Sequence, residues 1–366
     1  MNLRIVFYTS LLVISSCLRL HGQEQLGWIN PLESEKENIV HGKAGSELVY
    51  FRLPDSLEKQ VREPVWRLSR HSAGVKLRFR TNAKNIQVRY TVSGNRDMPH
   101  MPATGVSGLD LYTKKGTSDW TWVKGNYSFG DTISYGFQLI EEGRRDREFD
   151  LYLPLYNEVL FLEIGVAANA TFELLPKDTA ILPIVVYGTS IAQGACASRP
   201  GMAWTAILER AVNRPLINLG FSGNGQLEDP LIRYMASIES SMYVLDCLPN
   251  LVRDTFPEEE VKRRIHAAVM YLKSKQPDTP ILLVDHAGYT DGLINQDRRE
   301  AYEKRNQWSQ EVYRELLTSG VSEVYYLEKD AIGLSMEGTV DGTHPSDLGM
   351  DQYARGYARL INDVLY

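Results

Sequence analysis

The sequence predicts an α/β fold, a flavodoxin-like, doubly wound sheet of five parallel strands, preceded by an antiparallel β-sandwich domain. Three observations carry this expectation. Up to about residue 176, short runs alternate apolar and polar residues and are separated by turn residues, as half-buried strands are. From Ile181 onward, continuous apolar runs alternate with long amphipathic stretches, as in a parallel sheet covered by helices on both faces. The change falls near residue 180 of a 366-residue chain, a length that suits two domains.

Residues 1–22 read as an export signal. Arg4 supplies a positive start, and Ile5 to Ser16 forms an apolar stretch too short to span a bilayer. A cut after Gly22 takes the net charge from −6 to −8. A second reading of the same segment is a lipobox, Ile14-Ser15-Ser16-Cys17, with a lipid anchor on Cys17. Either way the protein is expected to be exported, and no other segment is apolar enough for an integral membrane span.

The sandwich is placed at 28–176. Val75–Phe79 and Ile86–Tyr90 alternate cleanly, and Leu109–Tyr112, Trp120–Val123, Glu148–Leu153 and Val159–Val166 follow. Ser93-Gly94-Asn95 and Lys115-Gly116-Thr117 supply turns. The second domain is placed at 180–366. Its expected strands are Ile181–Tyr187, Leu216–Leu219, Met242–Leu248, Pro280–Val284 and Val324–Leu327. Helices are expected over Ala203–Val212, Leu231–Ile238, Glu258–Lys275, Gln296–Thr318 and Asp347–Leu365. The third of these opens on Pro257 and three glutamates, which suit a helix N-terminus.

Composition excludes several classes. A chain 43% hydrophobic and 23% charged is neither disordered nor membrane-embedded. It has no Lys/Arg stripe of the kind that binds nucleic acid. Cys196 and Cys247, the two cysteines beyond residue 22, read as buried thiols or as a single disulfide, too few for a disulfide scaffold. No His/Cys cluster has metal-ligand spacing, so neither a metal nor a cofactor is expected.

In an open parallel sheet, ligands bind beyond the carboxyl ends of the strands. Gly188-Thr189-Ser190 follows the first strand, Gly220 to Gly225 the second, and Pro249-Asn250 the third; Asp341 and His344 come a short loop beyond the fifth. All converge on one edge. Ser190 reads either as a helix cap or as a nucleophile. Gly223 reads as part of a plain turn or as a free backbone donor to an oxyanion, and Asn250 as a loop residue or a second donor. Asp341-Gly342-Thr343-His344-Pro345 is a turn by composition, and its three-residue spacing lets one loop present a base and the acid that orients it. Asp285-His286 sits on the same edge, and His286 is read as contacting substrate. Arg199 in Arg199-Pro200-Gly201 is read as a substrate contact or a helix cap. His100, between Pro99 and Pro102, is read as a surface-loop residue or a contact reaching the edge from the first domain.

The strand-end residues resemble, in order, the four blocks of the SGNH/GDSL hydrolase superfamily: Ser190 in Tyr-Gly-Thr-Ser, Gly223 in Asn-Leu-Gly-Phe-Ser-Gly-Asn, Asn250 in Leu-Pro-Asn, and Asp341 with His344. Thr189 stands where the usual first block has aspartate, and Asn250 lies between Pro249 and Leu251 rather than in Gly-x-Asn-Asp. Gly108-Leu109-Asp110-Leu111-Tyr112 resembles the GxDLY module that precedes such domains in secreted bacterial proteins. The resemblance implies a Ser190–His344–Asp341 triad, with an oxyanion hole made of the Ser190 and Gly223 amides and the Asn250 side chain. It also implies a secreted esterase that removes small acyl groups, acetyl foremost, from carbohydrate. Lipid esters, thioesters and a non-catalytic carbohydrate-binding role are the alternatives, and aromatic residues such as Trp120, Trp122 and Tyr127 are either sugar platforms or sandwich packing.

Overall fold

The computed structural model describes residues 25–115, 119–139 and 147–366. The leader at 1–22 with its Cys17 alternative, and part of the turn expected at 115–117, lie outside these residues.

The sandwich strands are β1 (Leu26–Ile29), β2 (Val40–His41), β3 (Lys76–Thr81), β4 (Asn85–Val92), β5 (Asp110–Lys115), β6 (Asp119–Val123), β7 (Gly125–Phe129), β8 (Ile133–Gln138), β9 (Arg147–Tyr152), β10 (Val159–Ala167) and β11 (Phe172–Leu174). One sheet runs β1-β10-β4-β8-β7, and the other β11-β3-β9-β5-β6 with β2 on β3. The period of two explains the packing. Ile86, Val88 and Tyr90 of β4 turn inward to meet Leu77 and Phe79 of β3, while Gln87 and Arg89 turn out. β7 is not signalled by the sequence. It reads Gly-Asn-Tyr-Ser-Phe on an exposed edge, where nothing enforces apolar alternation. The connections of this part carry helices α1 (Glu63–Ser69) and α2 (Ala103–Val106).

The second part holds strands β12 (Ile184–Gly188), β13 (Leu216–Gly220), β14 (Met242–Asp246), β15 (Ile281–Val284) and β16 (Val324–Leu327), all parallel, in the order β13-β12-β14-β15-β16. This is the expected flavodoxin-like order. Helices α3 (Ser190–Gln193), α4 (Trp204–Val212), α5 (Asp229–Ala236), α6 (Glu258–Lys275), α7 (Gln296–Thr318), α8 (Lys329–Ile332) and α9 (Asp347–Leu365) surround it. β12 shows why its run is continuously apolar: Val185 and Tyr187 enter the core under α5 and α6, and Ile184 and Val186 the core under α4 and α9. Two expected boundaries shift. Ile181 and Leu182 are exposed and precede the strand, and Leu248 belongs to a 3-10 turn, Leu248–Asn250, rather than to β14. Cys196 and Cys247 are buried free thiols.

The two parts share their cores. Leu53, Leu57 and Val65 of the first part pack into one helix–sheet core of the second, and Met101, Val106 and Leu155 into the other. Buried charge crosses the same boundary. Lys76 pairs with Asp150 at 2.7 Å and with Glu209 of α4 at 2.8 Å. The GxDLY-like segment forms a second clamp, in which Asp110 accepts from Arg199 at 2.5 Å, from Trp122 at 2.6 Å and from the Gly201 amide at 2.9 Å. Tyr112 receives Arg199 on its hydroxyl at 2.7 Å and lies under the Arg210 guanidinium. Gly201 is required there, because a β-carbon would stand 2.3 Å from the Tyr112 ring.

Candidate active site

β12 ends at Gly188, and the backbone turns at once into α3. Thr189 is the cap: its Oγ1 accepts from the Ile191 amide at 3.3 Å. Ser190 is therefore the first helical residue rather than the cap, and its hydroxyl is free for other work. It is only 7% exposed.

His344 arrives on the loop before α9. Thr339 and Pro345 bridge, and Gly342 takes a positive φ of 81°, closing a tight turn that carries Asp341 and His344. The two oxygens of Asp341 divide their partners. Oδ1 accepts from the amides of Thr343 at 3.0 Å and His344 at 2.8 Å, which leaves Oδ2 to accept from His344 Nδ1 at 2.7 Å. With Nδ1 donating, Nε2 is an acceptor, and the Ser190 hydroxyl donates to it at 2.9 Å. Burial works to raise the Asp341 carboxyl, but the His344 amide and ring and the Thr343 amide outweigh it and hold the group below its ordinary range. Serine, histidine and aspartate thus form one continuous hydrogen-bonded line.

Among the described residues, the glycine loop after β13 supplies one unpaired amide, that of Gly223. Gly220 and Gly225 are there for close approach: a β-carbon on Gly220 would sit 2.2 Å from the Gln193 amide of α3, and one on Gly225 2.2 Å from the Gly188 carbonyl. Gly223 has a φ of +70°. Asn250, at the end of the 3-10 turn after β14, accepts from the Gly225 amide at 2.9 Å through Oδ1, which leaves its Nδ2 free to donate. Among the described residues, the amides of Ser190 and Gly223 and the Nδ2 of Asn250 donate no intramolecular hydrogen bond. Three unspent donors at neighbouring strand ends are what a developing negative charge requires.

Two expected contacts are corrected. His286 is 1% exposed, with its ring against Tyr289 and Tyr302 and its Nδ1 accepting from the Gly288 amide at 2.9 Å. Burial, with Arg298 nearby, lowers it to about 3, so it is a neutral core ring out of a substrate's reach. Its neighbour Asp285 is spent on Tyr326 and the Lys329 amide. Arg199 is committed to Asp110 and Tyr112 and belongs to the clamp between the two parts. His100, by contrast, lies at the edge. A two-stranded bridge between Met98 and Met101 presents it from the first part, exposed, with its ring centroid 5.9 Å from that of His344.

Sequence reasoning missed the residues that brace the triad loop. Arg298 of α7 donates to the Gly342 carbonyl at 3.2 Å and to Thr343 Oγ1 at 3.0 Å, and is itself anchored on Asp291 at 2.7 Å. The Thr290 amide also reaches the Gly342 carbonyl, at 3.1 Å. In sequence Arg298 is one charge among many on a polar helix, and no local signal distinguishes it. Among the described residues no group of His, Cys, Asp and Glu side chains is arranged to hold a metal ion.

Comparison with known proteins places this geometry in context. Residues 182–362 match the family model of the GDSL-like lipase/acylhydrolase family, and residues 26–172 match that of the GxDLY N-terminus of SGNH-hydrolase-type esterases. A crystal structure of a Bacteroides ovatus protein described as a GDSL-like lipase is similar at 34% identity, over 93% of this chain and 98% of that one, with a TM-score of 0.83. A family two carbohydrate esterase from Cellvibrio japonicus shares the fold at 11% identity, over 93% and 98% of the chains, with a TM-score of 0.57. An acetyl xylan esterase from Butyrivibrio proteoclasticus does so at 11% identity, over 92% and 98%, with a TM-score of 0.53. A search of curated proteins gives no match.

Proposed function

The chain belongs to the GDSL-like lipase/acylhydrolase family, and from that premise we propose that this ester hydrolase removes small acyl groups, acetyl foremost, from carbohydrate, through an acyl-enzyme on Ser190. The observation that carries the reading is the unbroken line from Asp341 Oδ2 through His344 to the Ser190 hydroxyl, at 2.7 and 2.9 Å. In this mechanism His344 Nε2 takes the Ser190 proton as Oγ attacks the ester carbonyl. The carbonyl oxygen becomes an oxyanion held by the amides of Ser190 and Gly223 and by Asn250 Nδ2. As the C–O bond to the alcohol breaks, His344 returns its proton to the leaving oxygen. Water, deprotonated by His344, then attacks the acyl carbon and frees Ser190 with release of the acid.

The carbohydrate half of the reading rests on three supports. His100 is a polar, exposed ring beside the base, suited to a hydroxyl-rich leaving group. Asp341 and His344 are partly exposed, so the site is open to a bulky alcohol. The whole-chain architecture is also the one found in the Cellvibrio japonicus carbohydrate esterase and the Butyrivibrio proteoclasticus acetyl xylan esterase. Export through residues 1–22 would bring such an enzyme to polysaccharide.

A second reading, a lipid ester, is favoured by Leu293 and Ile294, which are strongly exposed on the loop whose Thr290 touches the triad turn. Hydrolysis of p-nitrophenyl esters from acetate to long chains, with acetylated xylan alongside, separates the two. The first reading expects the highest kcat/KM on acetate and acid release from xylan. A rise with chain length transfers support to the second, and no hydrolysis of any ester sinks both.

A further inference from the structure

The family reading assigns the oxyanion donors to the hydrolase part of the chain, yet side chains of the sandwich part brace the groups that orient one of them. Gly223 donates from the Ser222–Gly223 peptide, and a peptide is planar and trans, so fixing its carbonyl fixes the direction of its N–H. The Ser222 carbonyl accepts from Asn224 Nδ2 at 2.8 Å. Asn224 in turn is oriented by Arg62, whose Nη1 donates to Asn224 Oδ1 at 2.8 Å. Arg62 lies just before α1 and is braced by Glu228 through Nε at 2.7 Å. This line of contacts runs from the sandwich part to the donor peptide without a gap.

Two more contacts approach the same loop from beneath. The Ser222 amide donates to Gln193 Oε1 at 3.0 Å, and Gln193 Nε2 donates to His71 Nδ1 and to the Leu155 carbonyl, each at 3.1 Å. Burial, with Arg52 and Arg67 adding to it, lowers His71 to about 3, so its ring stays neutral and able to accept. Arg52 is 1% exposed and spends its donors on carbonyls alone: Gly220 at 2.5 Å, Leu68 at 2.6 Å, His71 at 2.9 Å and Asn218 at 3.3 Å. It also covers the Phe221 ring at 4.8 Å. Among the described residues no carboxylate pairs with it, and burial lowers it to about 9. A buried cation without a counter-charge is costly to keep, and it is most stable when negative charge develops nearby.

We propose that the sandwich module acts as the positioning half of the oxyanion hole, with Arg62 setting the Ser222–Gly223 peptide through Asn224 and Arg52 holding Gly220 from below. Neither arginine touches substrate, and the effect of each passes through the loop. This inference rests on the esterase reading above. It accounts for a two-part chain in which the parts share cores and buried ion pairs: in the hydrolase part alone, Asn224 and Gln193 would hold the donor peptide without the Arg62 and His71 contacts that brace them. Arg62 and Arg52 were not legible in sequence, because each stands over 150 residues before the loop it serves.

The full-length chain tests this with Arg62→Met and Arg62→Lys, both at an exposed position that leaves the cores intact, and with Arg52→Lys. Arg62→Met is expected to lower kcat on p-nitrophenyl acetate by about tenfold, short of the hundredfold or more lost with a whole oxyanion donor. KM should stay within about twofold, because the interaction acts mainly in the transition state. Arg62→Lys is expected to recover part of the loss. Hydrogen exchange of the Ser222 amide, which donates to Gln193 Oε1 and needs no turnover, should quicken in Arg62→Met while the strands of the parallel sheet stay as protected as in wild type. Wild-type kcat in both Arg62→Met and Arg52→Lys overturns the proposal and leaves the esterase reading standing. A loss seen only in KM, or one that tracks the loss of folded protein, also overturns it. If the wild type hydrolyses no ester, the esterase reading fails and takes the proposal with it.

Discussion

Ser190 Oγ and His344 Nε2 lie 2.9 Å apart although 154 residues separate them in the chain. The approach is produced by the sheet rather than by either loop. β12 delivers Ser190 to its carboxyl edge, and the loop after β16 returns to the same edge before α9 closes the fold. Since neither side chain has work without the other, each replacement alone should abolish the shared function. Ser190→Ala and His344→Ala are each expected to lower kcat by about a millionfold on an activated ester, and the double variant no further. Additive losses in a steady-state assay would contradict a shared unit.

Asp341→Asn keeps shape and removes the acceptor that fixes the His344 tautomer. A fall in kcat of about ten-thousandfold is expected, with KM little changed. A fall below about tenfold would place Asp341 outside the reacting line.

Asn250→Ala removes one of the three donors and leaves the Gly225 amide without its partner. The expected loss is a hundred- to a thousandfold in kcat, about 3–4 kcal/mol of barrier, again at nearly constant KM. A transition-state mimic such as a boronic acid should lose affinity in parallel, and unchanged affinity would remove Asn250 from the oxyanion site.

The residues to which the proposed mechanism assigns the chemistry were the legible ones, and there is a physical reason. Ser190, Gly223, Asn250, Asp341 and His344 each follow a strand or close a turn, so short-range pattern places them on one edge. Arg199 and His286 carry the same local signals but were misread, because their roles depend on contacts with distant segments. Asp110 and Tyr112 fill the donors of Arg199, and Tyr289 and Tyr302 enclose His286. The GxDLY-like segment was readable as a motif but not as a clamp, since its partner loop lies nearly 90 residues onward. β7 went unseen because an exposed edge strand needs no apolar alternation.

The clamp gives a stability prediction. Arg199→Met leaves the buried Asp110 carboxylate with only Trp122 and the Gly201 amide, and should destabilise the folded chain by about 3 kcal/mol, the lower end of the cost of breaking a buried pair. Urea unfolding reads this directly. If Arg199 bound substrate instead, the variant would keep its stability and raise KM.

Asp246, at the end of β14, is 2% exposed, and its Oδ2 has no hydrogen-bond partner among the described residues. Burial raises its carboxyl from 3.8 to about 7. The folded chain therefore holds this proton more tightly than the unfolded chain. Its contribution to stability is complete below 3.8 and is lost as pH rises through about 7. Asp246→Asn should accordingly raise Tm at about pH 8 and leave it nearly unchanged at about pH 4. Equal shifts at both values would show that the carboxyl does not titrate in this window.

The central claim is that an acyl group passes through Ser190. The most direct measurement is acid-quenched mass spectrometry of the protein mixed with p-nitrophenyl acetate, followed by peptide mapping of wild type and Asn250→Ala. The account predicts a single acetyl group on the peptide containing Ser190, formed in the burst phase and absent from Ser190→Ala. Acetyl on another residue, or turnover by Ser190→Ala at the wild-type rate, would contradict it.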